Sequence, residues 1–342
     1  MAELTITTLN ALVKEKPITK GFVEQVYTYT PILNHFKEGK AMYTVKGGNR
    51  IMASIQFGNI VGKNWTGSGV VVDPTTLTRP AIASEAWYDW AFYNNASIIP
   101  YKEWLLVQKG AYTLEDYAKM ILKKLAESTA RDFEGKFFDA WDSDTTGAGS
   151  PVVYAPNKVF GLSQLIHAVD GLKDANDNST PIYVGDVKIS ELPEWKSQVD
   201  AYDTTKSLIL NLMHSVNTVT HKWGKPTLIL TSQAIYEEYC EDAYDKSGYL
   251  VKDEIATKLG FSVGASFNGI PFVFSESSAL DGTIYMFNNN YLKFVVHPDA
   301  NFKLSPWTQV STTNYDYIAL EDTTYSMIVS NRAAQVKITG VT

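Results

Sequence analysis

Five histidines, one cysteine, a few adjacent carboxylates and the Gly-Lys step at 224–225 are the groups in this chain that could carry chemistry. His214 and His221 stand seven residues apart in a helical stretch and could share a face, as two ligands of a zinc ion do. No carboxylate or thiol lies at ligand spacing beside them, so a pair of surface imidazoles is the plainer reading. Cys240 could be a nucleophile. It sits inside Tyr236-Glu237-Glu238-Tyr239-Cys240-Glu241, where carboxylates disfavour the thiolate, so a structural role is expected. Gly224-Lys225-Pro226-Thr227 resembles the end of a phosphate loop. Val219 stands where that loop needs its first glycine, and Pro226 removes a backbone N–H that a phosphate would require. Glu237-Glu238 and Asp174/Asp177 read as solvated charges. Gly147-Ala148-Gly149 is a small-residue turn. His-Glu-x-x-His, paired Cys-x-x-Cys and Gly-x-Ser-x-Gly do not occur. The expectation is no catalytic, cofactor or metal site.

Composition sets the frame for what positions these groups. The chain has 342 residues, 45% of them hydrophobic, enough for two compact domains or one elongated subunit. Aromatics reach 13%, with 20 Tyr and 8 Trp, side chains that suit interfaces as well as cores. The net charge of −7 argues against a dedicated nucleic-acid reader, though not against a container whose acidic wall lets nucleic acid slide. A single cysteine excludes an intrachain disulfide and fits a reducing compartment. No signal-peptide pattern opens the sequence, and no apolar run approaches the ~20 residues that span a membrane.

Residues 1–40 mix Thr, Pro and scattered apolar residues, with Pro31 interrupting any long helix; an arm that docks elsewhere and a segment packed on its own domain fit the pattern equally. Met42 to Phe57 alternates on both sides of Lys46-Gly47-Gly48-Asn49, which predicts a hairpin about the two glycines. Glycines 58, 62, 67 and 69 and a β-type stretch at 67–83 suggest a projection. Ala96 to Pro100 reads as the returning strand. Leu114, Ala118, Ile121, Leu125, Thr129, Phe133, Phe137 and Trp141 recur at helical spacing, predicting a strut over 113–141 about 42 Å long. A short helix is expected in 157–171, a second strong helix in 203–224 and a buried strand at 227–231. Ser232 caps a helix that ends near Tyr244. Beyond it lie Phe267-Asn268-Gly269-Ile270-Pro271-Phe272-Val273-Phe274, a turn at Asp281-Gly282, the strand Thr283 to Phe287, three asparagines, and Tyr291 to Pro298. The class is α+β.

This order, with Gly-Ile-Pro-Phe before a strand, Tyr291-Leu292-Lys293 and the terminal Asn331-Arg332, resembles the major capsid proteins of tailed bacteriophages, whose fold is shared with encapsulins. The resemblance implies an N-terminal arm (1–40), an extended β-hairpin loop (41–95), a peripheral domain (96–142 and 291–330) with its spine helix at 113–141, and an axial α/β domain (143–290 and 331–342). It implies a subunit that self-assembles as pentamers and hexamers into an icosahedral head around double-stranded DNA, in a virion assembled in the host cytoplasm. The expected partners are a separate scaffolding protein, a portal, a possible cement protein, and DNA touched without sequence preference. The alternatives are an encapsulin-type cellular shell and an enzyme with an unfamiliar site in 142–290.

In that family the extended loop lies across a neighbour's spine helix. Residues 40–84 carry five bases and one acid, whereas 113–144 carry eight acids and five bases. The expected inter-subunit contact is therefore a basic hairpin on an acidic strut, with Lys46, Arg50 and Lys63 facing Glu127, Asp132 and Glu134.

Overall fold

The computed structural model describes residues 24, 26, 30–56, 83–103, 114–138, 153–154, 161–168, 173–174, 183–247, 265–275, 277, 280–310 and 315–341. Helix α1 (Pro31–Glu38) leads to β1 (Met42–Thr44), β2 (Arg50–Gln56), β3 (Ala83–Asp89) and β4 (Ala91–Ile99). The long helix α2 (Leu114–Phe138) follows, then the two-residue strand β5 (Val153–Tyr154), the single turn α3 (Leu162–Leu165), β6 (Lys173–Asp174) and β7 (Gln198–Ala201). Helices α4 (Leu208–Trp223) and α5 (Gln233–Ser247) flank β8 (Leu228–Thr231). The remainder is β9 (Ala265–Phe267), β10 (Ile270–Phe274), β11 (Thr283–Phe287), β12 (Leu292–Val296), β13 (Lys303–Leu304), β14 (Thr308–Gln309), β15 (Tyr317–Val329) and β16 (Val336–Thr339).

Two six-stranded sheets organise the chain. In the peripheral sheet β15 is the spine. It pairs with β4 over Tyr317–Tyr325 and with β12 over Tyr325–Val329, while β13 and β14 add short rungs and β1 joins β12 in parallel. The axial sheet runs β7-β16-β11-β8-β10-β9. Its central strand reads as a continuous apolar run because both faces are covered. Leu228 and Leu230 point into the core shared with the peripheral sheet, and Ile229 points under α4 and α5. Tyr285 and Phe287 divide from Ile284 and Met286 in the same way, as a period of two requires.

Helix α2 buries Leu122, Leu125, Ala126, Thr129, Phe133 and Phe137 at three- and four-residue steps against the peripheral sheet. Its 25 residues span about 37 Å at the α-helical rise. Thr113 and 139–141, expected in the strut, lie outside the described residues.

Three expectations are corrected. The Gly-Gly step does not close a hairpin: β1 pairs in parallel with β12, and β2 pairs with β3. Alternation marks strands but not their partners, and Gly47 (φ +78) and Gly48 (φ +104) instead let the chain leave one sheet for another. Met42–Thr44 and Ala91–Asn95, drawn within the loop, belong to the peripheral sheet. Pro31 interrupts the helical path as expected, residues 24 and 26 being helical and Thr30 extended before it, and it starts a new helix at the turn where its missing N–H costs nothing. That helix lies on its own subunit, with Ile32, Leu33 and Phe36 buried and Phe36 against Phe137 and Phe294. Finally, the 203–224 helix begins at Leu208, because Asp203 accepts from the Thr205 N–H and hydroxyl in a turn and Asn211 donates back to the Asp203 carbonyl.

The Asn268-Gly269 pair, both at positive φ, closes the two-residue hairpin between β9 and β10. Gly282 also takes positive φ, in the turn that opens β11. The strands on either side of Asp281-Gly282 are not partners; β10 and β11 both pair with β8.

Candidate subunit-contact surfaces

The hairpin β2–β3 is clamped at its base. Arg50 Nε meets Asp89 Oδ1 at 2.7 Å across the register pair, and its Nη1 meets Asp186 Oδ2 at 2.6 Å from the turn Val184–Asp186. Gly185 sits beneath the strand with φ +67. A Cβ there would come within 2.6 Å of the Ala86 methyl, so only glycine allows the close approach. Tyr88 donates to the Val329 carbonyl at 2.7 Å, and the Trp90 indole donates to the Gly48 carbonyl at 2.9 Å. Arg50, expected to reach a neighbour, is thus engaged by its own chain.

Along the helix–sheet seam, Asn95 donates to the Thr129 hydroxyl at 3.1 Å and Thr129 donates to Glu321 Oε2 at 2.6 Å. Tyr93 donates to Asp132 at 3.1 Å, and Ser275 of the axial domain donates to Glu134. Asp132 and Glu134, proposed from the sequence as inter-subunit acids, therefore both have partners within the subunit. Glu127 is half-buried and Lys46 is exposed; Lys63 lies outside the described residues. The exposed stripe of α2 carries Met120, Lys123, Lys124 and Arg131 beside Asp132. Among the described side chains, these three bases stand against Asp132 and the half-buried Glu127 and Glu134, so they show no acidic excess. The whole-segment count could not tell which charges their own subunit engages.

Two crossings join the sheets. At the first, the Asn288 N–H donates to Gln335 Oε1, its side chain to the Lys225 carbonyl, and the Asn289 N–H to Thr227 Oγ1. The Asn289 amide also meets His35 Nε2 at 2.8 Å, tying α1 to the crossing. Burial holds the His35 imidazole neutral, with its pKa pushed down to about 4. At the second, buried Arg332 donates to the carbonyls of Leu165, Trp195 and His167, and the Asn331 side chain accepts from the Ala333 N–H. Asn288, Asn289 and Asn331-Arg332 are therefore polar pins between the sheets and the segments packed on them. The sequence marked them only as a turn and as a resemblance.

Sequence reasoning also missed the exposed apolar surfaces. On the hairpin's outer face Met52 stands opposite Trp87, and Ser54 opposite Glu85. On the peripheral sheet, away from α2, Phe92 is 71% exposed opposite Thr324, and Ile98 and Leu320 are exposed further along the same face. The alternation over 50–56 and the returning strand at 96–100 were legible, but not that both phases carry apolar residues. Such patches are characteristic of surfaces that meet other protein.

His214 and His221 are both exposed, and among the described residues no three His, Cys, Asp or Glu side chains gather as metal ligands would. Cys240 is half-buried, and burial, reinforced by Glu237, pushes its thiol pKa up.

No sequence-family model matches the chain, and no curated protein matches it by sequence. Solved structures match it almost end to end. A chain of the cyanophage A-1(L) capsid asymmetric unit superposes with a TM-score of 0.62 at 15% identity, covering 91% of this chain and 93% of that one. The holo-SrpI encapsulin complex of Synechococcus elongatus gives 0.52 at 8% identity over 89% and 87%. The virus-like particle of Pyrococcus furiosus gives 0.50 at 11% over 94% and 98%. The chain has the capsid fold that tailed phages share with encapsulins.

Proposed function

We propose that this chain is a phage major capsid protein, which assembles as pentamers and hexamers into an icosahedral head enclosing double-stranded DNA. The observation that carries the reading is the near-complete match to the cyanophage capsid chain, at a TM-score of 0.62 against 0.52 for the encapsulin. The fold hosts shells of both kinds, so the site must supply what the fold does not. A clamped hairpin with an apolar outer face, and pinned domains, suit a rigid tile that repeats one contact around a closed shell. In this reading the chain works without catalysis or a cofactor, in the virion. A separate scaffolding protein and a portal set the shell's size, a cement protein can coat it, and DNA is touched without sequence preference.

The hairpin contact changes its chemistry from the sequence expectation. Met52 and Trp87 would lie on Met120 of a neighbour's α2, with Glu85 towards Lys123 and Lys124, so apolar burial leads and the charges run in the opposite sense. Lys124→Glu should slow assembly and Glu85→Lys in the same chain should restore it; a double variant no faster than the single one removes this pairing.

Negative-stain microscopy of the purified protein tests the main reading. Closed icosahedral particles are expected. A monodisperse monomer under every assembly condition would overturn it. Co-purification of a cargo enzyme rather than DNA would favour the encapsulin alternative, and uniform shells from the chain alone would remove the need for a scaffold.

A further inference from the structure

Glu321 is 0% exposed in the middle of β15, under the 25-residue helix α2. Its Oε2 accepts from Thr129 of α2, and Thr129 in turn accepts from Asn95, the residue opposite Glu321 in the β4–β15 register. Its Oε1 is buried with no hydrogen-bond partner among the described residues. No ion pair to Glu321 occurs among them either. An ionised carboxylate in this place would be an uncompensated buried charge, which is costly. A neutral carboxyl avoids that cost, and water at Oε1 would serve an ionised one.

We propose that Glu321 is a proton-operated latch between α2 and the peripheral sheet: neutral, it keeps the seam dry and closed, and on losing its proton it draws water in and loosens the helix from the sheet. The groups that face it are consistent. From α2 come Thr129 and, further along, Asp132, which is held by Tyr93 of β4. From β4 come Asn95 and Tyr93. From β13 the register partner is Leu304, while Lys303 stands opposite Asp322 and is exposed. From β15 itself comes Asp322, whose negative charge also favours the protonated form of Glu321.

Burial raises the Glu321 pKa from 4.5 to about 7, with Asp322 adding to the rise and the Thr129 bond opposing it. Between these values the folded chain binds more protons than the unfolded one. The seam's stabilisation is therefore whole below 4.5, declines as pH rises towards about 7, and is gone above it. The latch belongs to the subunit; only its consequence for a shell rests on the capsid reading.

Hydrogen exchange of α2, corrected for intrinsic rates and followed from about pH 4 to about 8.5, tests the latch on the full-length protein. Protection within Leu122–Phe138 should fall by about tenfold or more as pH rises from 4.5 to about 7, and level off above it. Glu321→Gln, a permanently neutral amide of the same shape, should abolish the step. Thr129→Val should move the midpoint upwards, because the bond that favours the ionised form is lost. A wild type without a step, or an unchanged step in Glu321→Gln, overturns the proposal. If Glu321→Gln does not fold, an unmoved midpoint in Thr129→Val overturns it alone. A chain that never assembles would sink the capsid reading while its own exchange profile still decides the latch.

Discussion

Arg50 is claimed by its own chain before any neighbour could reach it. Its two ion pairs are half exposed, so each contributes only about 0.2–1 kcal/mol. The glycine beside them matters more. Gly185→Ala puts a methyl within 2.6 Å of Ala86 at a φ that L-residues avoid, and should destabilise the subunit by roughly 1–3 kcal/mol. Asp186→Ala should cost less than Gly185→Ala; urea unfolding of the two variants side by side checks the order. His35 supplies a pH dependence of opposite sign to that of Glu321. Its folded pKa of about 4 lies below the ordinary 6.5 because burial disfavours the imidazolium. Between those values the unfolded chain binds more protons. Stability contributed at this site is thus present above 6.5 and lost as pH falls towards about 4, amounting to roughly 3 kcal/mol at full extent. His35→Gln should flatten that part of the stability profile, read as the difference between variant and wild-type denaturation midpoints from pH 4 to 7.

At the level of elements, α2 and the β2–β3 hairpin divide the work. The helix fixes the peripheral sheet through Phe133 and Phe137, while its exposed stripe stays open to contact. Gly135 lies in the helix interior with nothing within 4 Å of a would-be Cβ, so alanine fits. Gly135→Ala should raise subunit stability by about 1 kcal/mol, measured by chemical denaturation. An unchanged or lowered midpoint would mean that the position needs its flexibility or its small size. The hairpin, by contrast, draws its rigidity from its base, where Tyr88, Trp90 and Arg50 tie it to three separate segments.

For the molecule as a whole, the start of the described chain is part of the fold. Val26, Ile32, Leu33 and Phe36 are buried in the main core. Removing residues 1–39 would strip Phe36 from Phe137 and Phe294 and take Val26, Ile32 and Leu33 out of the core, each worth roughly 1.5–3 kcal/mol of burial. The truncated chain should unfold at a much lower denaturant concentration or fail to fold. A midpoint equal to that of the full chain would show that α1 contributes nothing to this core.

The sequence determined by itself what is local. The three- and four-residue spacing of α2, the buried apolar run at Leu228–Thr231 and the alternation of β2 follow from helical and strand periods, which are properties of contiguous residues. The element order was enough to suggest the capsid fold that the superpositions then bore out. What the tertiary structure decided is pairing and facing. Alternation around Gly47-Gly48 is the same whether β1 turns back on β2 or joins β12 some 250 residues away, because register is set by partners that the pattern does not name. A charge count over a helix is likewise blind to which carboxylates their own subunit engages, so Asp132 and Glu134 counted towards a contact surface although they accept from Tyr93 and Ser275. Glu321 lies on a strand among Asp322, Thr323 and Thr324 and reads as one more solvated acid. Only the long helix laid over it by the fold makes it a buried carboxyl with a proton to lose.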